Sequence, residues 1–357
     1  MERVLSARRL VFPAVRRVAW EEYDVPEAVE AHVVVARAEC SLISAGTEVA
    51  VYSGTHIGFT LAHPPFPLIP FYPGYALVGR VLAAGAAVEN IRPGQRVVMD
   101  APHGSVGVVD VRRGTVVPIP DDLSNEEAAF LPLAGIALSA PRMAPVELGD
   151  SVAVYGLGLV GQLAARLYRL AGARPVIGLD LIGGRLDVAA AAGITPVNTA
   201  GTDVRAAVDR LCGGSGVDVV VEATGSPDVI PASLALAAEG GRVVLLGSPR
   251  GPSRIDAYSL IHRPGISVIG AHERVQPLGL SRARRWTKRR NLDFLARTLA
   301  EGELRVEPLI SHRISPDEAP EIYEALADRP GEFLGVLIEW RSGGPRGSTR
   351  TGGGTHV

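Results

Sequence analysis

The stretch 151–180, SVAVYGLGLVGQLAARLYRLAGARPVIGLD, limits what this chain can fold into more than any other part of it. An apolar, β-prone run from Ser151 to Tyr155 leads into Gly156-Leu157-Gly158-Leu159-Val160-Gly161. A helix-compatible stretch to Leu170 follows, then a second apolar run that ends on Asp180. Each part has a mechanical use in holding a dinucleotide. Gly156 permits a tight turn, Gly158 admits a pyrophosphate to the backbone, and Gly161 lets helix and strand pack closely. Leu159 and Val160 open the helix, whose N-terminus turns unpaired N–H groups and partial positive charge toward the phosphates. Asp180, nineteen residues beyond Gly161, stands where a carboxylate accepts hydrogen bonds from the adenosine ribose diol. A carboxylate there repels a 2′-phosphate, so NAD(H) is the expected cofactor. Arg185, placed to cap the adenine or to meet a phosphate, keeps NADP(H) open.

From residue 151 the rhythm is strand, helix, strand. Helices are predicted at 184–192, 204–211 and 227–238, and strands at 195–198, 217–222, 241–246 and 266–270. Such alternation makes a parallel, doubly wound α/β sheet. Ligands of these sheets bind beyond the carboxyl ends of the strands. That rule puts Thr224, Gly225, Gly247, Ser248, Ala271 and His272 in the cofactor cleft.

Residues 1–125 read differently, as short strands at 9–12, 16–22, 31–38, 76–83, 95–99 and 105–111 separated by Pro and Gly, which predicts a small closed β-domain. The linker 57–73 (HPPFPLIPFYPG at its centre) is expected to be restrained by proline. Ser124 followed by Glu126 and Glu127 marks a helix start. At the other end, 281–301 predicts a helix whose basic run (Arg282, Arg284, Arg285, Lys288, Arg289, Arg290) reads as a solvated face. A strand, a helix at 315–326 and a strand at 333–340 follow, and 341–357 is expected to be disordered.

A length of 357 residues suits two domains. The net charge of −2 gives no bulk attraction to nucleic acid or to a membrane surface. Lys288 is the only lysine among 36 basic residues. Cys40 and Cys212 form no disulfide or metal pattern, and arginines interrupt the apolar residues of MERVLSARRLVFPAVRR, unlike a signal peptide. Cytoplasmic residence is the expectation.

A β-rich first part, a Rossmann unit and a return segment together resemble the medium-chain dehydrogenase/reductase superfamily over residues 1–340. The markers are Ile43-Ser44-Ala45-Gly46-Thr47-Glu48, Pro73-Gly74-Tyr75 with Gly79, Ile91-Arg92-Pro93-Gly94-Gln95-Arg96-Val97, and the 156–161 glycines. The resemblance implies a GroES-like catalytic domain in 1–141, a Rossmann domain in 142–275 and a return segment in 276–340 that completes the catalytic domain. It also implies an active site in the cleft between the two domains and a homodimer or homotetramer. Where zinc-dependent members carry ligands, this chain has Ala45, Tyr75-Ala76 and Leu131, and the cysteine-rich zinc lobe is missing. A zinc-independent member is therefore expected. His56, His63 and His103 are scattered without ligand spacing and are expected at the surface or in hydrogen bonds. SLISAGTE and PGY are similar to the bacteriochlorophyllide a dehydrogenase branch and to sugar or cyclitol dehydrogenases of natural-product pathways.

Without a metal, hydrogen-bond donors must stabilise the developing alkoxide. Thr47 matches the family's proton-relay hydroxyl, Tyr75 replaces a ligand histidine, and Glu48 matches a carboxylate behind the metal. These three are the catalytic candidates, with Tyr52, His56 and His103 behind them. Alcohol–ketone interconversion on a small metabolite is favoured. Reduction of a conjugated C=C is the alternative, and a non-catalytic nucleotide-binding protein is the rival from another class.

Overall fold

Six short runs between residues 152 and 270 pair in one parallel sheet in the computed structural model, which describes residues 4–26, 28–62, 66–278 and 285–340. In spatial order the strands are Thr195–Asn198, Val176–Asp180, Val152–Tyr155, Val217–Glu222, Ala237–Leu245 and Ser267–Gly270. Numbered along the chain this is 3-2-1-4-5-6, the doubly wound order with its switch point between the first and fourth strands. The first strand is buried along its whole length, as a central parallel strand covered by helices on both faces must be.

The β-rich unit contains the hairpin Val4–Ala14/Arg17–Pro26 and a seven-stranded sheet. The expected closure does not appear: no ladder joins the two outermost strands of that sheet, Ile310–Ile314 and Val116–Pro118, among the described residues. Val116–Pro118 was not foreseen, because three residues ending on proline carry no readable alternation. The return segment supplies Ile310–Ile314 and Gly335–Glu339, and the latter pairs antiparallel with Val33–Leu42. Tyr323, Ile338 and Trp340 thereby enter the same core as Phe12, Leu77 and Met99.

The helix Leu131–Met143 joins the two units. Its Leu133, Ala134 and Ala137 share one continuous core with Leu42 and Val98 of the β-unit and with Leu163 and Val221 of the parallel sheet. Ahead of it Ser124 and Glu127 form a capping box, so the Ser-Glu-Glu signal marks a real helix start. The basic helix begins later than expected, at Lys288, because the Thr287 side chain caps it by accepting from Arg290 N at 3.2 Å. Arg282 and Arg284 lie outside the described residues, as do His63 and the tail 341–357. No helix among the described residues is long and apolar enough to cross a membrane.

Candidate active site

A cleft of about 1960 Å³ runs between the β-unit and the carboxyl ends of the parallel strands. Small-molecule sites ordinarily span about 300–1,000 Å³, so this one has room for a dinucleotide and a substrate together. Its nucleotide wall is built from backbone. Gly156 has φ of 85°, in the left-handed region, and a Cβ on Gly161 would stand 1.8 Å from the Gly156 carbonyl oxygen. A Cβ on Gly158 would meet nothing within 4 Å, so that residue leaves its side of the cleft open. Gly158 caps the helix Leu159–Leu170 without any side-chain bond, which leaves the first-turn amides of Leu159 and Val160 to a ligand.

Asp180 lines the cleft and also locks the glycine turn. Its Oδ2 accepts from Leu157 N at 2.6 Å and its Oδ1 from Ile182 N at 2.9 Å. Each carboxylate oxygen retains a lone pair for a ribose hydroxyl. Arg185 lies 3.9 Å from Asp180 and donates to the Pro330 carbonyl at 2.8 Å, which ties the nucleotide wall to the return segment. Burial lowers its pKa despite Asp180. Thr224, Gly247, Ser248, Ala271 and His272 all line the cleft. Gly225 does not. It is buried behind the wall with φ of 69°, and the carboxylate of Glu222 accepts its N–H and that of Thr224. His272 spends its Nδ1 on Arg274 N and caps a short turn.

Across the cleft, the motif around Ser44 folds in an unusual way. Ser44 is the N-cap of the helix Ala45–Tyr52, yet its hydroxyl makes no capping bond. Glu48 reaches back instead and accepts from Ser44 N at 2.8 Å. Freed from the cap, Ser44 Oγ lies 2.5 Å from the Tyr75 hydroxyl, and Thr47 is close enough to draw the phenol's pKa down slightly. Ser44, Thr47 and Tyr75 all line the cleft. Burial pushes the Tyr75 phenol above its ordinary pKa, Ser44 pulls it back in part, and Glu48 and Glu273 push it further up. Gly74 holds this corner together: its φ is 102°, and a Cβ there would stand 2.6 Å from the backbone N of His103.

Glu48 is not in the cleft, contrary to the catalytic role expected for it. It is fully buried, and besides Ser44 N it bonds His103 Nε2 at 3.1 Å and the Tyr323 hydroxyl. His103 is equally buried; its Nδ1 lies 2.7 Å from Ser41 Oγ, which in turn accepts from Trp340 Nε1 at 2.8 Å. Both therefore act behind the cleft wall, because every polar atom that a neighbour can use is already engaged. Tyr52 is also withdrawn, packed edge-on against Phe12, while His56 lines the cleft with Nδ1 accepting from Gly58 N.

Cleft residues that the sequence did not single out include Ser44, Asp100, Glu273 and Lys288. Ser44 was visible in SLISAGTE without a role, and Lys288 was absorbed into a basic run although it is the only lysine. Instead of facing solvent, its Nζ sits 2.9 Å from Asp100 Oδ2 and 3.1 Å from Glu273 Oε1.

Zinc takes thiolate, imidazole or carboxylate ligands. At the three positions where the superfamily resemblance locates ligands, this chain offers a methyl group on Ala45, a phenol on Tyr75 and the buried hydrocarbon of Leu131. No group of three His, Cys, Asp or Glu converges as metal ligands would among the described residues. That donor set does not fit zinc. The backbone cradle around Gly156–Gly161, with Asp180, does fit a dinucleotide.

The family described as zinc-binding dehydrogenase matches residues 160–278. L-threonine 3-dehydrogenase of Anaeromyxobacter dehalogenans strain 2CP-C is 29% identical over 351 residues, covering 90% of this chain and 95% of the relative. D-guloside 3-dehydrogenase of Escherichia coli K12 is 29% identical over 273 residues, covering 73% of this chain and 75% of the relative. Among solved structures, alcohol dehydrogenase TADH from Thermus sp. ATN1 superposes with a TM-score of 0.76 at 25% identity, covering 93% of this chain and 99% of that one. By architecture and by these likenesses, the chain is an NAD(P)-dependent dehydrogenase whose fold is similar to that of medium-chain alcohol dehydrogenases.

Proposed function

We propose that the protein is a zinc-independent, NAD(H)-linked dehydrogenase that interconverts a secondary alcohol and a ketone on a small metabolite. The observation that carries this reading is the hydroxyl cluster of Ser44, Thr47 and Tyr75 in the cleft, at the place where the resemblance locates a metal. The bound nicotinamide supplies or accepts the hydride. Everything else falls to the chain's own side chains. In the reducing direction Tyr75 donates a hydrogen bond to the carbonyl oxygen and then its proton to the alkoxide. An alkoxide is a far stronger base than a phenolate, so the transfer runs downhill even from a phenol whose pKa is raised. Ser44 or Thr47 then relays a proton from solvent to Tyr75, its hydroxyl taking one up as it gives one, and in oxidation the sequence reverses.

NAD(H) preference rests on Asp180, whose carboxylate lines the cleft at the end of the second strand and would repel a 2′-phosphate. At the outer edge of the parallel sheet, Ser267–Gly270 has no further strand beside it among the described residues and carries an exposed Val268, which suits self-association into a homodimer.

The test is turnover of EDTA-treated protein with NAD⁺ and NADP⁺ on a panel of secondary alcohols, beside NADH- and NADPH-dependent reduction of cyclohexenone. Alcohol oxidation with NAD⁺ that chelator does not reduce is the expected result. Activity lost to chelator and restored by zinc overturns the zinc-independent part. Enone reduction without alcohol oxidation moves the protein to C=C chemistry, and cofactor binding with no turnover moves it to the non-catalytic class.

A further inference from the structure

The chain spends its single lysine at one place, and that place is in the cleft. Lys288 is the first residue of the helix Lys288–Ala300 in the return segment. Its ammonium bridges two carboxylates from different units: Asp100, just past the strand Arg96–Met99, and Glu273, three residues past the last parallel strand, Ser267–Gly270. All three side chains are about four-fifths buried, at 18%, 22% and 21% exposure, and all three line the cleft. Glu273 is near enough to Tyr75 to raise its pKa, so the cluster and the hydroxyl corner share one electrostatic neighbourhood.

The geometry is that of a holder, not of a plain ion pair. Lys288 uses Oδ2 of Asp100 and Oε1 of Glu273, which leaves the second oxygen of each carboxylate outside the ion pairs. A further donor, Thr115 N, fixes Asp100 at 2.9 Å. An ammonium has three N–H donors, and two are used by the carboxylates. The remaining N–H and the two carboxylate oxygens complement a hydroxyl group, which both donates and accepts. An arginine fork would fill this space with a planar, five-donor group, whereas a compact ammonium fits between two carboxylates. Two carboxylates against one ammonium leave a net charge of −1, which disfavours an anionic group at the same spot.

We infer that Asp100, Lys288 and Glu273 hold a second, neutral hydroxyl of the substrate beside the carbon that reacts, so that they set specificity for vicinal hydroxyl compounds over simple alcohols. Lys288 offers its remaining N–H to that hydroxyl and holds in place the two carboxylates that accept from it. This inference rests on the alcohol–ketone reading.

The test is calorimetric titration of the full chain, loaded with NADH so that no alcohol is oxidised, with cis-1,2-cyclohexanediol and with cyclohexanol. The diol is expected to bind about tenfold more tightly, the worth of about one hydrogen bond to a charged group. Glu273→Gln and Lys288→Met, each checked for NADH binding, are expected to bring the ratio close to one. A merely structural role lowers both affinities together and leaves the ratio intact. Equal binding of the two alcohols by the wild type, an unchanged ratio in both variants, or no binding of either alcohol to NADH-loaded protein overturns the inference. A diol preference in a protein that forms no NADH from any alcohol counts against the dehydrogenase reading instead and leaves the hydroxyl-holding site standing.

Discussion

Tyr75 owes its chemistry to what Ser44 does not do. An N-cap serine normally spends its hydroxyl on the first turn of its helix, but here Glu48 takes the N-cap backbone and the hydroxyl turns to the phenol. Removing only the phenolic oxygen therefore isolates the proposed proton transfer. Tyr75→Phe is expected to lower kcat by about 10²–10⁴-fold, the usual worth of a positioned acid–base group. NADH affinity, measured by fluorescence titration, is expected to stay level. The sign of the pH dependence follows from the raised phenol pKa. Tyr75 stays protonated through and beyond the ordinary tyrosine value of about 10, so ketone reduction is not expected to lose its donor between about pH 7 and 9. A tenfold fall of kcat across that range, retained in Tyr75→Phe, would assign the donor to another group.

At the scale of elements, the short helix Ala45–Tyr52 is held from behind. Glu48 joins it to His103, in the segment after Arg96–Met99, and to Tyr323 on the helix Ala319–Asp328 of the return segment. Glu48→Ala strands three buried donors. Each unsatisfied buried group costs about 1–3 kcal/mol, so a loss of more than about 3 kcal/mol in unfolding free energy is expected by denaturant titration. Retention of wild-type stability would mean that the network contributes nothing. The same contacts place Glu48 behind the cleft wall, where its carboxylate orients Ser44 N, His103 and Tyr323. Gly161 is its counterpart on the nucleotide side, since helix and strand meet there too closely for any Cβ.

For the whole molecule, the return segment decides the site. It sends two strands into the β-sheet, Tyr323 and Trp340 into its core, and Lys288 into the cleft. The parallel sheet in turn has its outer edge, among the described residues, at Ser267–Gly270. If that edge makes the proposed dimer, Val268→Lys places a charge in the seam, and light scattering is expected to report a monomer that still binds NADH. A wild-type protein that is monomeric at micromolar concentration would sink the dimer instead.

The parallel sheet, its glycine turn and the acidic end of its second strand were legible in the sequence because each is encoded within a few adjacent residues. Apolar runs of strand length, glycines at fixed offsets and the Ser124 cap work wherever the chain goes. The Ser44–Tyr75 pair and the Asp100–Lys288–Glu273 cluster are different. They join residues 31 and up to 188 positions apart, and no local period marks such a meeting. The sequence by itself determined a nucleotide-holding sheet beside a β-rich unit. Only the tertiary structure decided which hydroxyls and charges meet at the cleft: folding of the β-unit brings Tyr75 to Ser44, and docking of the return segment brings Lys288 to Asp100 and Glu273.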